Sequence, residues 1–320
     1  MTGGELALAC ALDAAVGDPR WFPHPVRWMG FIITWCDRCV HQLLLSPAKQ
    51  RMAGLLLAVG LPSAAYVAGT GLIQFAGSID ALWGSVATVL LAWTTLAVRD
   101  LIDHIRSVQR ALHTSSLTEA RASLAKIVGR DTGEMAEADI VRASVETIAE
   151  STADGIIAPL FYLVIGGAPL ALAYKAISTL DSMIGHMDER YRWFGWASAR
   201  LDDVVNFIPA RITALLLVLS GGIVAQSWPA MQRAWQILLR DGGAHPSPNS
   251  GHPEAAMAGA LGVQLGGSNR YDGLLVERPC LGDPDQPLTS EHIGRALRLM
   301  LWASLLGVLW GVGWLLMVRE

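Results

Sequence analysis

Residues 53–98 read AGLLLAVGLPSAAYVAGTGLIQFA (Ala53–Ala76), GSID (Gly77–Asp80) and ALWGSVATVLLAWTTLAV (Ala81–Val98). Neither apolar run holds a charged side chain, and each comes close to the roughly 20 residues a helix needs to cross a bilayer. The short link between them makes a helical hairpin the expected form of 53–98. Arg51 stands before the hairpin and Arg99 and Arg106 after it, while the link has no Lys or Arg. The positive-inside rule places the tip outside and both flanks in the cytoplasm.

Working outward, Ile208–Trp228 and Leu299–Val318 are two further runs of this kind. A fifth, Ile156–Tyr174, is interrupted by Gly166-Gly167-Ala168-Pro169. The expected fold is all-α: a polytopic integral membrane protein with four to five membrane helices, one of them broken at Gly166–Pro169. Composition agrees. The 320 residues are 52% hydrophobic and 16% charged, against roughly 25% charged in an average soluble domain. Mean hydropathy is +0.38, and a net charge of −4 offers no cationic excess for a nucleic-acid backbone. The reading is one membrane-embedded domain over 1–320. It carries a cytoplasmic helical segment at 99–155, with one or two amphipathic helices between Asp100 and Gly129. A polar loop segment follows at 231–298, with one embedded helix at Pro253–Leu265.

Cys10, Cys36, Cys39 and Cys280 are too few and scattered for a disulfide scaffold, and Cys36-x-x-Cys39 lacks the second pair a zinc site requires. The N-terminus shows no basic region before its apolar stretch, so no cleavable signal is expected.

Chemistry-bearing residues fall in separate motifs. In Gly17–Arg27, X-Pro steps hold His24 in extended backbone, and Asp18, His24 and Arg27 can converge. Gly129-Arg130-Asp131-Thr132 sits between helical patterns, where a Gly turn, an Arg fork and a helix N-terminus suit an anion. Asp131 or Thr132 as a plain N-cap is the alternative. Glu146, Glu150 and Asp154 recur every fourth residue on one helical face, and the like charges call for basic partners or a divalent cation. Lys175 and Asp181 end the broken apolar run, at a depth where charge is costly, unless Ser178 and Asp181 form a capping box. Arg200, Asp202, Asp203, Asn206 and Arg211 cluster at the mouth of the next apolar run, with Pro209 suited to its first turn. A rigid loop from His245 delivers Glu254 to the first turn of a small-residue helix.

Together these motifs resemble the cobalamin-biosynthesis CobD/CbiB family, adenosylcobinamide-phosphate synthase. The resemblance rests on Gly17-Asp18-Pro19, Pro23–Arg27 with Gly30, and Gly129–Thr132. It continues through Asp154-Gly155, Ala158–Phe161, Tyr174–Ala176, Thr179–Met183, Ala199–Asp203 and Pro209–Arg211. Ser247-Pro248-Asn249, Glu254-Ala255 and Ala258–Gly262 complete it, in the same order along nearly the whole chain. The sequence departs from the family pattern at Ser151 and Ser178, where Asn is expected, and at His186, where Tyr is.

The resemblance implies a multi-pass ligase of the bacterial inner membrane. Its reaction is ATP-dependent amide formation between adenosylcobyric acid and (R)-1-amino-2-propanol O-2-phosphate, giving adenosylcobinamide phosphate. An activated carboxylate made from ATP with Mg2+ suits such chemistry. On that reading Glu254, His24 and Asp181 are catalytic candidates. Arg27, Arg130, Lys175, Arg200 and Arg211 bind substrate and phosphate, and Glu146, Glu150, Asp154, Asp202 and Asp203 hold metal. The expected partners are the two substrates, membrane lipid, and a homo-oligomer or other late-pathway membrane proteins. The sequence has no G-x-x-x-x-G-K-[ST] loop, so ATP would be held in another way. A transporter or scaffold in the corrinoid pathway is the alternative, because broken helices with charges near the midplane also occur in transporters. A CDP-alcohol phosphotransferase is excluded, because Pro159 and apolar residues follow Ala158 where that motif needs Arg, Gly and further acids.

Overall fold

The computed structural model describes every residue except Arg20, Leu44, Ser115, Met187, Asp272, Arg319 and Glu320. Its helices are α1 (Gly3–Val16), α2 (Pro25–Gln42), α3 (Pro47–Ile79), α4 (Ala81–Trp93), α5 (Val98–His113) and α6 (Leu117–Leu124). They continue with α7 (Glu137–Thr152), α8 (Ala158–Ile184), α9 (Trp196–Ala225), α10 (Trp228–Asp241), α11 (Gly251–Leu261) and α12 (Ser290–Met317). A π-helical turn, Ala153–Ile157, joins α7 to α8, and one antiparallel hairpin, β1 (Leu265–Tyr271) with β2 (Leu274–Leu281), precedes α12.

Among the described residues five helices are long and apolar enough to cross a membrane: Pro47–Ile79, Ala81–His113, Glu137–Ile184, Trp196–Ala225 and Ser290–Met317. The chain is a multi-pass, essentially all-α membrane protein. The α3–α4 hairpin turns on Asp80 alone, tighter than the four-residue link expected, because α3 runs on to Ile79. Asp80 caps α4 by accepting the Leu82 N–H at 2.8 Å. The break in α8 stands where the sequence placed it: Gly167 adopts φ 69° and ψ −170°, with Pro169 just beyond.

The domain expected over 1–320 is built as two compact units. The first comprises 1–97, 158–206 and 308–320. Its core packs Met29, Ile33 and Val40 of α2 against Leu61 of α3 and Leu172, Ala176, Leu180 and Ile184 of α8. The second comprises 98–157 and 207–307. There α5 buries Leu101, Ile102, Ile105, Val108 and Leu112 along one stripe, as its amphipathic spacing predicts.

Four local expectations are corrected. The helix after Arg130 starts at Glu137, so neither Asp131 nor Thr132 caps it and Arg130 is not at a helix N-terminus. Ser178 and Asp181 lie inside α8, which removes the capping box. Pro209 is interior to α9, whose helix begins at Trp196, so the charged motif runs along one continuous helix instead of forming the mouth of another. In 231–298, α11 ends at Gly262 in a left-handed conformation (φ 68°), and the residues after it form the β-hairpin instead of loop.

Candidate active site

The second unit gathers carboxylates and arginines from segments distant in sequence. Helix α7 carries Glu146 and Glu150 one turn apart, and α11, which packs against α7, brings Glu254 in its first turn. The close approach that seats α11 depends on Gly259, where a Cβ would lie 2.7 Å from Ala234 Cα of α10.

Glu146 is saturated. Its Oε2 meets Arg130 Nη1 at 2.7 Å, and its Oε1 accepts the Gly266 N–H at 2.8 Å and lies 3.5 Å from Arg142 Nη1. Arg142, four residues before Glu146 on α7, is thus one of the basic partners the acidic stripe calls for, but Arg130 is the closer. Arg142 also donates to the carbonyls of Gly266 and Ser268, binding α7 to β1. Asn269 Oδ1 accepts from Arg130 at 2.7 Å and from Arg142 at 3.2 Å. Two guanidinium donors fix the amide orientation, so Asn269 Nδ2 is the donor end. It is buried, with no hydrogen-bond partner among the described residues. Asp131, next to Arg130, holds the hairpin from the other side by accepting the Gly273 N–H at 2.7 Å.

Glu150 is different. Its side chain reaches solvent. Ser250 donates a hydrogen bond to it, and Arg278 and Arg130 are the cations nearest it in effect. Glu254 is buried. Burial first, then the charges of Glu146 and Glu150, push its pKa well above the usual 4.5, against the pull of Arg278 and Arg130. Burial also opposes the charge on Arg130, but Glu146 outweighs it and keeps the guanidinium more basic than usual. On β2, Arg278 contacts His245 Nε2 at 3.3 Å. Burial and that neighbouring cation hold the His245 pKa below 6.5. The result is a cluster of a saturated anchor (Arg130–Glu146), a solvent-reaching carboxylate, a buried carboxyl of high proton affinity, and an arginine, Arg278, whose charge acts on both.

The remaining predicted site residues sit elsewhere. Asp154 lies in the π-helical turn, a feature frequent at functional sites. Arg211, also in the second unit, donates to the Phe207 carbonyl at 2.7 Å and stacks on that ring. His24, Arg27, Lys175, Asp181, Arg200, Asp202 and Asp203 belong to the first unit. His24 caps α2, accepting the Val26 N–H at 3.3 Å, and lies 3.5 Å from Asp18. Lys175 and Asp181 are half-buried on α8. Arg200 pairs with Asp203 at 3.6 Å. Asp202 accepts from Asn206 at 2.9 Å, and Asn206 from the Tyr174 hydroxyl at 2.9 Å, tying α8 to the start of α9. Among the described residues no three His, Cys, Asp or Glu side chains are grouped to hold a metal ion by themselves. Sequence reasoning missed Asn269 and Arg278, for both of which the signal was Asp272-Gly273, a favoured hairpin pair.

The sequence profile described as CobD/Cbib protein matches residues 6–300. The chain is 48% identical over 307 residues to cobalamin biosynthesis protein CobD of Geobacter metallireducens, covering 96% of this chain and 95% of that one. It is 47% identical over 302 residues to the CobD of Pelobacter propionicus, covering 94% and 91%. With cobalamin biosynthesis protein CbiB of Salmonella typhimurium it shares 44% over 302 residues, covering 94% and 93%. No solved structure matches. Matched along nearly its full length by profile and relatives alike, the chain belongs to the CobD/CbiB family.

Proposed function

We propose that this chain is a cobalamin-biosynthetic enzyme of the bacterial inner membrane, an adenosylcobinamide-phosphate synthase. It would join the free carboxylate of adenosylcobyric acid to the amine of (R)-1-amino-2-propanol O-2-phosphate at the expense of ATP. The pathway follows the names of its relatives. The observation that carries the reaction is that α7 and α11, packed together, bring a solvent-reaching Glu150 and a buried, proton-avid Glu254 into one cluster, both under the influence of Arg278.

A carboxylate does not acylate an amine until one oxygen becomes a leaving group. The substrate carboxylate attacks the γ-phosphorus of ATP, forming a C–O–P link as the bond to ADP breaks. The amine nitrogen then attacks the acyl carbon, the C–N bond forms, the C–O bond breaks and phosphate departs. The amine arrives as an ammonium and must first lose a proton. Glu254, once ionised, takes it, and its raised proton affinity makes it a stronger base than an exposed carboxylate. Arg278 supplies positive charge for the phosphates, while Arg130 stays engaged with Glu146. Glu146 is fully engaged by Arg130, Arg142 and Gly266, so Glu150 is the carboxylate that would help hold a phosphate-bound Mg2+, whose charge would offset that of the phosphates. The 231–298 segment supplies Glu254 from α11 and Arg278 from β2, which favours an enzyme over a transporter.

The test uses purified protein with ATP, Mg2+, the amine phosphate and adenosylcobyric acid labelled with 18O in the free carboxylate. Adenosylcobinamide phosphate should form, with one 18O in the released inorganic phosphate. Label in AMP would replace the acyl-phosphate route with an adenylate. No product, with corrinoid uptake into vesicles, would support the transport reading.

A further inference from the structure

Helices α3 and α9 each begin a membrane span. At their N-terminal ends, within the first unit, lies a cleft of about 410 Å3 lined by Arg51, Met52 and Leu55 of α3 with Trp193 and Trp196. Gly54 sets the approach: a Cβ there would collide with the Phe194 carbonyl oxygen, so α3 lies directly on the turn that carries Trp193. Arg51, three residues earlier on the same helix face, is thereby brought over Trp196, its Cζ 3.9 Å from the ring centroid. Arg192 Cζ lies 5.1 Å from the Trp193 ring centroid. Among the described residues neither guanidinium has a hydrogen bond or an ion pair with protein, and both side chains are exposed. A guanidinium stacked on a ring keeps its N–H donors in the plane of the fork, directed past the ring edge. That geometry takes phosphate oxygens in pairs.

The depth of this cleft in the bilayer decides what adjoins it. The uncharged run of α3 starts at Ala53, two residues past Arg51, and Trp beside Arg at the end of such a run marks the headgroup layer. Next to Arg51, Met52 and Leu55 are 57% and 45% exposed, and Leu55 lies about 6 Å deeper along α3 at 1.5 Å per residue. Unpaired cations above an exposed apolar strip match the two halves of one lipid. We propose that the cleft binds an anionic phospholipid, its phosphate held by Arg51 and the upper part of an acyl chain against Met52 and Leu55. The charge of Arg192, on the Trp193 ring, adds to the attraction. A net-negative headgroup is favoured over a zwitterionic one, whose ammonium would stand beside two guanidinium groups. The site is separate from the reaction proposed above.

The test reconstitutes the full chain in phosphatidylcholine vesicles doped with a phosphatidylglycerol bearing a diazirine near the glycerol end of one acyl chain, followed by irradiation and peptide mapping. Adducts should concentrate on 47–56 and 193–196, several-fold above those from a phosphatidylcholine with the same diazirine. Arg51→Gln should abolish that preference, and Trp196→Leu, which removes the stacking partner, should lower it. Labelling elsewhere in the chain should stay at the parental level in both variants. Excess inorganic phosphate, compared with chloride at equal ionic strength, should leave the adducts unchanged. Equal labelling by the two probes in the parent protein, or a preference untouched by both variants, would overturn the proposal. Loss of the adducts to inorganic phosphate would also overturn it, assigning the guanidinium groups to a soluble phosphate instead.

Discussion

Arg130 and Glu146 meet at 2.7 Å with side chains only 8% and 5% exposed, pinning the loop before α7 to the middle of that helix. Removing one partner strands the other charge in the protein, which costs about 3–5 kcal/mol. Arg130→Met should lower the thermal unfolding midpoint in detergent markedly. Arg130→Met/Glu146→Met should recover part of that loss, because no lone charge remains. Equal losses in the single and double variants would contradict the pairing.

Glu254 gives a pH-dependent prediction of definite sign. Its folded pKa is raised above 4.5, so the folded state binds the extra proton more tightly than the unfolded chain does. That contribution is fully present below about pH 4.5 and is lost as pH rises through the higher folded value. Glu254→Gln removes the titration. The variant should therefore be more stable than the parent near neutral pH while losing activity, with the stability difference closing in acid. Denaturation curves at several pH values check this, and a parent that gains stability relative to the variant as pH rises would refute it.

Glu150 faces solvent, so its replacement should spare the fold. Glu150→Gln should lower kcat by about 10²–10³-fold, the usual cost of one electrostatic contact to a developing charge. Glu150→Asp should retain part of the activity at a higher Mg2+ requirement, read from a Mg2+ titration of rate. Full activity in Glu150→Gln would remove this residue from the site.

Gly259→Val places side-chain atoms against the backbone of α10, where even a Cβ would stand 2.7 Å from Ala234 Cα. Overpacking of this kind costs about 1–3 kcal/mol or more. It should also reduce turnover, because α11 holds Glu254. Chemical denaturation and steady-state rates measured together check both effects.

The membrane architecture was legible because unbroken apolar length is a local signal: the 53–98 hairpin and the break at Gly167 need no tertiary information. Glu146, Glu150 and Glu254 were each legible as costly charges, Glu146 and Glu150 by their helical spacing and Glu254 by its position after a rigid loop. That they gather in one cluster was not, since about a hundred residues separate α7 from α11 and only packing joins them. The hairpin was hidden for a different reason. β1 reads Leu-Gly-Gly-Ser-Asn-Arg-Tyr, with no β-branched residue, and both of its glycines take positive φ, so the segment looks like loop. Arg278 stayed invisible with it. The helix N-terminus expected after Arg130 failed because the chain continues to Glu137 before turning helical, which frees Arg130 to reach Glu146.

The Gly17–Arg27 turn and the acidic pair on α9 belong to the first unit, where Asp202 is tied to Asn206 and Asp203 to Arg200. Asp203→Ala should therefore disturb the α9 surface before it disturbs chemistry: KM and stability should shift more than kcat. A selective loss of kcat at unchanged stability would instead bring this pair into the reaction.

The most direct measurement is corrinoid product, read by mass, from purified parent, Glu254→Gln and Glu150→Gln proteins given adenosylcobyric acid, aminopropanol phosphate, ATP and Mg2+. The account predicts adenosylcobinamide phosphate from the parent and a loss of about 10²-fold or more in each variant, with both variants folded by circular dichroism. Product formed at the parental rate by either variant would contradict the claim that these two carboxylates carry the chemistry.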